Sequence, residues 1–381
     1  MGFRFTRIVI ENWRNFKKVD VNLERRVFLV GPNASGKSNF LGVFRFLRHI
    51  VAVGGGFHAA VEEEGGVSRL RCLAATRNSN ILIHAVIGND KSPRAWEYEL
   101  RFNQSKDKPP TIKTEKVWRE KEEIFTRPDE HDKDDPERLT QTYLEQVHAN
   151  REYREIAEFF KSLKYFHVVP QLVREPFRWI GEPDDPLGSD LIEQMARTST
   201  RTRKNRLGRL SKALELAVPQ LTELDLKQDK TSGEWHLQAR YEHWRPTGAF
   251  QSEQEFSDGT LRLLGLLWAA MEEAGPLLLE EPELSLHPEV IRRIPQILAR
   301  IQRKTGRQIF ISTHSSDLLR DDGIGTDEVL MLMPQSEGTK VQPASALRDV
   351  RRLLDGGLNL ADIVIPKTKP ARVEQLSLYE V

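Results

Sequence analysis

The chain has 381 residues, enough for one elaborated domain or two with a sizeable core. Apolar residues make up 39% and charged residues 30%, which excludes wholesale disorder. The longest apolar run, Leu263–Met271, is far shorter than the roughly 20 residues of a bilayer crossing, and no membrane is expected. A net charge of +1 means that any nucleic-acid surface must be a local patch. The single cysteine, Cys72, leaves no disulfide framework and no cysteine metal site within one chain. The opening Met-Gly-Phe-Arg-Phe-Thr-Arg lacks the apolar stretch of a signal peptide, so the expected location is the cytoplasm.

In chain order, Phe5–Ile10 and Val19–Leu23 alternate like antiparallel strands, with Trp13–Asn15 as the turn. Val27–Val30 reads as a buried strand, and Ser38–Ile50 follows with helical spacing at Phe40, Leu41, Phe44 and Leu47. Ile81–Ile87 and Trp96–Phe102 read as two more strands. The character changes from Gln104. Asn103–Pro110 is polar, Pro128–Arg138 is a charge-rich loop, and Leu139–Lys164 reads as helical. Tyr165–Val169 reads as a strand, Pro176–Gly188 as a loop, Leu191–Val218 as basic helix, and Leu224–Glu242 as a hairpin turning at Thr-Ser-Gly.

The first pattern then returns. Asp258–Ala274 is an apolar helix, Leu277–Leu279 a buried strand, Pro288–Thr305 a helix, and Gln308–Ser312 and Val329–Met333 strands. Such alternation predicts an α/β fold with a mainly parallel sheet, antiparallel N-terminal strands and a largely helical insertion. The expected division is a split lobe of residues 1–103 and 250–345, an insertion at 104–249 and a tail at 346–381. Prolines recur through the insertion, so no long coiled coil can run there.

Gly31-Pro32-Asn33-Ala34-Ser35-Gly36-Lys37-Ser38 fits G-x-x-x-x-G-K-[ST] between a predicted strand and helix. Glycines let backbone N–H groups curl around phosphates, Lys37 reaches the outer phosphate oxygens, and Ser38 offers a hydroxyl to Mg²⁺. Leu277-Leu278-Leu279-Glu280-Glu281-Pro282 is an apolar strand ending in two carboxylates. Glu280 is placed to hold the waters of Mg²⁺, and Glu281 to orient or deprotonate the attacking water. Ser257-Asp258-Gly259 precedes a helix, so Ser257 or Asp258 reads as an N-cap. The same turn exposes donors suited to a γ-phosphate. His314 ends the strand Gln308–Ile311, where an imidazole can sense hydrolysis.

The order of these elements resembles ABC-type ATPases of the RecF/SMC/OLD superfamily, in the compact "AAA family ATPase" branch of bacterial defence and repair operons. Lys37 and Ser38 fall in its Walker A motif, Ser257–Gly259 in its signature, and Glu280 and Glu281 in Walker B. Glu283–His287 falls in its D-loop, and His314 is its switch histidine. Ile10–Phe16 resembles its N-terminal segment, where Arg14 touches phosphate. The resemblance implies ATP and Mg²⁺ as cofactors. Asn33, Ala34, Ser35, Gly36, Lys37, Ser38, Asn39 and Arg14 would hold the nucleotide, joined by Ser257 and Gly259. Ser38, Glu280 and, as the Q-loop residue, Gln171 would serve the metal. Glu281, His314 and Lys37 would carry catalysis. It also implies a head-to-tail homodimer with ATP sandwiched between Lys37 of one subunit and Ser257 of the other.

Four positions depart from the pattern: Glu280 stands for the commoner Asp, Asp258 and Thr260 for Gly and Gln of transporter-type signatures, and His287 for the usual D-loop Asp. Too short a stretch follows His314 for a nuclease domain, so a nuclease or toxin effector is expected on a partner chain. The apolar Leu353–Ile365 is expected to pack on the chain's own core, with partner docking as the other reading. Arg197–Lys212 carries seven cations and no acid, and reads either as a solvated face or as a sequence-neutral DNA contact. Three functions remain open: a defence ATPase controlling an effector, a RecF-like repair ATPase, and a nucleotide-gated scaffold with negligible turnover.

Overall fold

The structure is a computed structural model that describes residues 2–75, 80–175, 185, 187–242, 249–272, 275–369 and 375. Alternation at the N-terminus folds into β1 (Arg4–Trp13) and β2 (Phe16–Asn22), with Trp13 paired to Phe16 across the turn. β3 (Arg26–Val30) leaves for a second sheet and is buried along its length. β4 (Ile81–Gly88), β5 (Trp96–Asn103), β6 (Thr111–Arg119) and β7 (Glu122–Arg127) complete an antiparallel sheet of order β2-β1-β4-β5-β6-β7.

The second sheet gathers β8 (Lys164–Phe166), β12 (Leu277–Glu280), β13 (Ile309–Thr313), β14 (Val329–Gln335) and β15 (Gly338–Pro343) around β3. Its order is β15-β14-β3-β13-β12-β8, parallel from β14 to β8, with only β15 antiparallel. A third, smaller sheet joins β9 (Leu221–Gln228), β10 (Trp235–Tyr241) and β11 (Ala249–Ser252).

The parallel strands read as continuous apolar runs because both faces are covered. Leu278 and Phe310 face the helix Lys37–Val51, which lies between the two large sheets. Phe44 of that helix packs on Phe5 of the first sheet and Phe310 of the second, at ring separations of 4.8 and 4.7 Å. Leu277, Leu279, Ile309 and Ile311 face the other way, onto Ile294, Leu298 and Val364. Each fully buried side chain of this kind contributes about 1.5–3 kcal/mol. The helix Asp258–Met271 packs outward on Leu207, Leu210 and Leu214 of the helix Thr200–Ala217.

Two stretches depart from the pattern read in sequence, and the tail follows it. β6 and β7 prolong the first sheet into the stretch expected to be insertion, and β8 returns from that stretch to the edge of the second. Leu139–Lys164 holds only one regular helix, Arg154–Lys161, since side-chain carboxylates compete for the backbone donors before it. Glu115 accepts from the backbone N–H groups of Tyr143 (2.9 Å) and Leu144 (3.1 Å). The tail segment forms the helix Leu360–Thr368, whose Leu360, Ala361, Ile363 and Val364 are buried against the second sheet, so it packs on its own core. The expected loop Pro176–Gly188 lies mostly outside the described residues. Among the described residues no helix is long and apolar enough to cross a membrane.

Candidate nucleotide-binding site

β3, β13 and β12 are successive neighbours whose C-terminal ends lie level: Thr313 pairs with Val30, and Ser312 with Glu280. The loops that follow these three strands therefore open along one edge of the sheet, where α/β folds bind ligands. Loop 31–36 joins β3 to the helix Lys37–Val51. Gly36 takes φ +99°, and a Cβ there would run into the side-chain amide of Asn15, so glycine is required on both counts. Asn15 braces the loop, donating from Nδ2 to the Ser35 carbonyl at 2.8 Å and accepting at Oδ1 from Asn39 at 2.8 Å.

Lys37 is almost fully buried, and its Nζ donates to the Gly31 (3.0 Å) and Pro32 (3.2 Å) carbonyls. Burial pulls its ammonium below the usual range, opposed by the charges of Glu281, Glu283 and Glu280. The Oγ of Ser35 is buried without a hydrogen-bond partner. A loop with a desolvated lysine, an unused hydroxyl and a helix N-terminus behind it suits an anion, as a phosphate would supply the missing acceptors.

The paired carboxylates separate at the strand end. Glu280 accepts from the hydroxyl of Ser38 at Oε1. Glu281 takes φ +42°, held by its N–H to the Ser312 carbonyl (3.1 Å) and Oγ (3.3 Å). Its Oε1 then lies 3.2 Å from Nδ1 of His314 and 3.9 Å from Nζ of Lys37. Ser38 and Glu280 together offer hard oxygen donors of the kind Mg²⁺ takes. When bound, that ion neutralises charge developing on phosphate oxygens.

The remaining expected residues are placed as follows. Asn33, Ala34 and Gly36 stand in the loop, with Ala34 at φ +61°. Asn39 turns its amide to Asn15 and its carbonyl to Nε1 of Trp13 (2.9 Å), so it supports the loop from behind. The Arg14 guanidinium is ion-paired with Glu64, which ties the β1–β2 turn to the helix Phe57–Glu63. Gln171 is exposed on the turn of helix Pro170–Arg174. From this stretch it is Tyr165 that reaches the site, donating to Glu280 Oε2, while His167 donates to the Glu280 carbonyl at 3.1 Å.

Ser257 caps the helix Asp258–Met271, accepting from the Thr260 N–H at 3.1 Å, and Asp258 pairs with Arg174 at 2.6 Å. A Cβ on Gly259 would lie 2.5 Å from the carbonyl of Ser285, so the signature turn sits directly on the loop after β12. In that loop Glu283 is 4% exposed, accepts from Thr313, and has one oxygen unpartnered; burial raises its pKa. Sequence reading placed Glu283 in the D-loop but had no signal for its contact with Thr313, nor for Tyr165 and His167 at Glu280, since these partners meet only when the strands pair.

A phosphate loop after β3 and a carboxylate pair after β12, flanking β13 in one parallel sheet beside an antiparallel N-terminal sheet, are the arrangement of an ABC-type ATPase of the RecF/SMC/OLD class. The chain belongs to the family described as "AAA domain, putative AbiEii toxin, Type IV TA system", whose model matches residues 26–321. Its fold is similar to that of an SMC head bound to the C-winged helix domain of ScpA. That match has a TM-score of 0.53 at 13% identity and covers 92% of this chain and 99% of that one. A Pyrococcus furiosus Smc head with an extended coiled coil, bound to the C-terminal domain of ScpA, also gives 0.53 at 11% identity. It covers 93% and 99% of the two chains. A 44-residue segment is 48% identical to Endonuclease GajA of Bacillus cereus (strain VD045); the match spans 12% of this chain and 8% of that protein.

Proposed function

We propose that this chain binds ATP with Mg²⁺ on loop 31–38, hydrolyses it, and works as a head-to-tail dimer in the cytoplasm whose nucleotide state controls a partner effector in anti-phage defence. The observation that carries this reading is the convergence of Lys37, Ser38, Glu280, Glu281 and His314 at the ends of three adjacent strands. Lys37 would exchange its two loop carbonyls for phosphate oxygens, an acceptor of higher charge. Ser38 and Glu280 would hold the metal and its waters. Glu281 would take the proton of the attacking water, and His314, hydrogen-bonded to Glu281, would keep that carboxylate aimed.

The place of Ser257 supports the dimer. Its turn rests on Ser285 of its own chain, and the helix behind it aims its positive end outward. A second copy could present its phosphate loop there, closing two equivalent sites by two-fold symmetry. The family description, which names a toxin system, and the short match to an endonuclease support an effector of the toxin or nuclease class.

The test is phosphate release together with sedimentation of the full chain, with and without Mg²⁺-ATP. ATP-dependent dimers that release phosphate and return to monomers support the proposal. Stable ATP dimers with no turnover would favour the scaffold reading. Monomers that release no phosphate would end both.

A further inference from the structure

We infer that Tyr165 is a positioning residue for Mg²⁺, clamping Glu280 so that its other carboxylate oxygen stays on Ser38. This inference deepens the ATP–Mg²⁺ reading above and rests on it.

Glu280 carries one more methylene than aspartate, and hence one more torsion to fix. The structure fixes it from two sides. Ser38 donates to Oε1 and the Tyr165 phenol to Oε2, so each oxygen has one donor. The backbone of the same residue is held as well, its carbonyl accepting from His167 at 3.1 Å. Tyr165 stands on β8, the parallel neighbour of β12, where its Cα partner is Leu278. Its side chain therefore leans two residues forward along the sheet to reach Glu280.

The phenol is itself held in place. The guanidinium of Arg45, from the helix that follows the phosphate loop, lies 4.6 Å from the ring centroid. Groups that orient a metal-binding carboxylate in this way set metal affinity by about 10–100-fold. Gln171, six residues on, is exposed, so the orienting contact from this segment is made by the phenol.

The experiment measures binding of a fluorescent ATP analogue to the full chain, once in Mg²⁺ and once in EDTA. The ratio of the two affinities is the metal-dependent gain. Tyr165→Phe keeps the ring under Arg45 and removes only the donor. It is expected to reduce that gain about tenfold and leave the EDTA affinity unchanged. Glu280→Asp, whose shorter side chain cannot span from Ser38 to Tyr165, should lose a similar share, and adding Tyr165→Phe to it should cost nothing more. The metal concentration for half-maximal phosphate release should rise with the same pattern.

A gain preserved within about twofold in Tyr165→Phe overturns the inference, as does an equal loss in Mg²⁺ and EDTA. Additive losses in the double variant overturn it too. A parent protein that binds the analogue equally with and without Mg²⁺ overturns this inference alone. A parent that binds no nucleotide overturns the reading beneath it as well.

Discussion

The imidazole Nδ1 of His314 lies 3.2 Å from the Oε1 of Glu281, although the two residues are 33 apart in sequence. The contact exists because β12 and β13 are parallel neighbours and because Glu281 adopts a left-handed backbone at the strand end. That single φ turns Glu281 toward His314 and Lys37 while Glu280, one residue earlier, stays on Ser38.

This division of labour makes Glu281 and Glu280 separable by mutation. Glu281→Gln keeps the shape and removes the proposed base. Phosphate release should fall by roughly 100-fold or more, while ATP binding and ATP-dependent dimerisation persist. Equal release by the variant and the parent would remove Glu281 from the reaction.

A composite site can be tested by mixing. Lys37→Ala and Ser257→Arg should each be inactive alone, because each damages both sites of its own dimer. In a mixed dimer one site keeps an intact Lys37 and an intact Ser257. An equimolar mixture should recover about a quarter of the parent rate, from random pairing with one good site in half the dimers. No recovery would place both residues at one chain's own nucleotide.

Gly259 is the narrowest point between the signature turn and the loop after β12. In Gly259→Ala the new methyl would meet the Ser285 carbonyl at 2.5 Å. Overpacking against backbone costs about 1–3 kcal/mol, so the thermal midpoint should drop by a few degrees. ATP-dependent dimerisation should weaken more than nucleotide binding by the monomer, since the displaced turn faces outward.

Glu97 on β5 predicts how the first sheet responds to acid. Burial alone would raise its pKa, but hydrogen bonds from His84 (3.0 Å) and Arg94 (2.9 and 2.8 Å) pull it down to about 2. A carboxylate lowered in the folded state stabilises above its unfolded pKa of 4.5 and loses that contribution as pH falls toward 2. The shift corresponds to about 3 kcal/mol. Glu97→Gln should therefore lower the chemical-denaturation midpoint at pH 7 and flatten its fall between pH 5 and pH 2, measured against the parent.

The basic helix Thr200–Ala217 is only partly free to meet DNA. Arg203 and Arg206 turn onto the rings of Trp235 and Trp268, at 5.0 and 5.3 Å. Arg197 pairs with Glu193 at 2.7 Å. Arg201, Lys204, Arg209 and Lys212 remain exposed, within one broad face. If this face is the DNA contact, changing these four to Gln should reduce the slope of log affinity against log salt for duplex DNA by about 3–4. An unchanged slope would leave the helix as a solvated face.

The elements that carry chemistry could be read directly from the residues. Gly31–Ser38 and the run Leu277–Glu281 stand out by themselves, because a phosphate loop needs glycine at fixed places and a buried parallel strand needs unbroken apolar residues, whereas His314 is singled out only by the order of the elements around it. The limits of reading are equally physical. The strand expected at Tyr165–Val169 forms as Lys164–Phe166, but its place beside β12 was not legible, and Leu139–Lys164 is mostly not a helix because Glu115, distant in sequence, takes its backbone donors.

What the amino-acid order determined alone was the set of local requirements: which segments are buried on both sides, where glycine must stand, and which strand ends carry acids. Only the tertiary structure decided which of those ends share an edge. Strand order in a parallel sheet is set by crossovers through packed helices, and no short-range pattern encodes it. Hence Tyr165 holding Glu280 against Ser38 emerges only once β3, β13, β12 and β8 lie side by side, and Asn15 bracing Ser35 only once the β1–β2 turn of the first sheet meets the loop after β3.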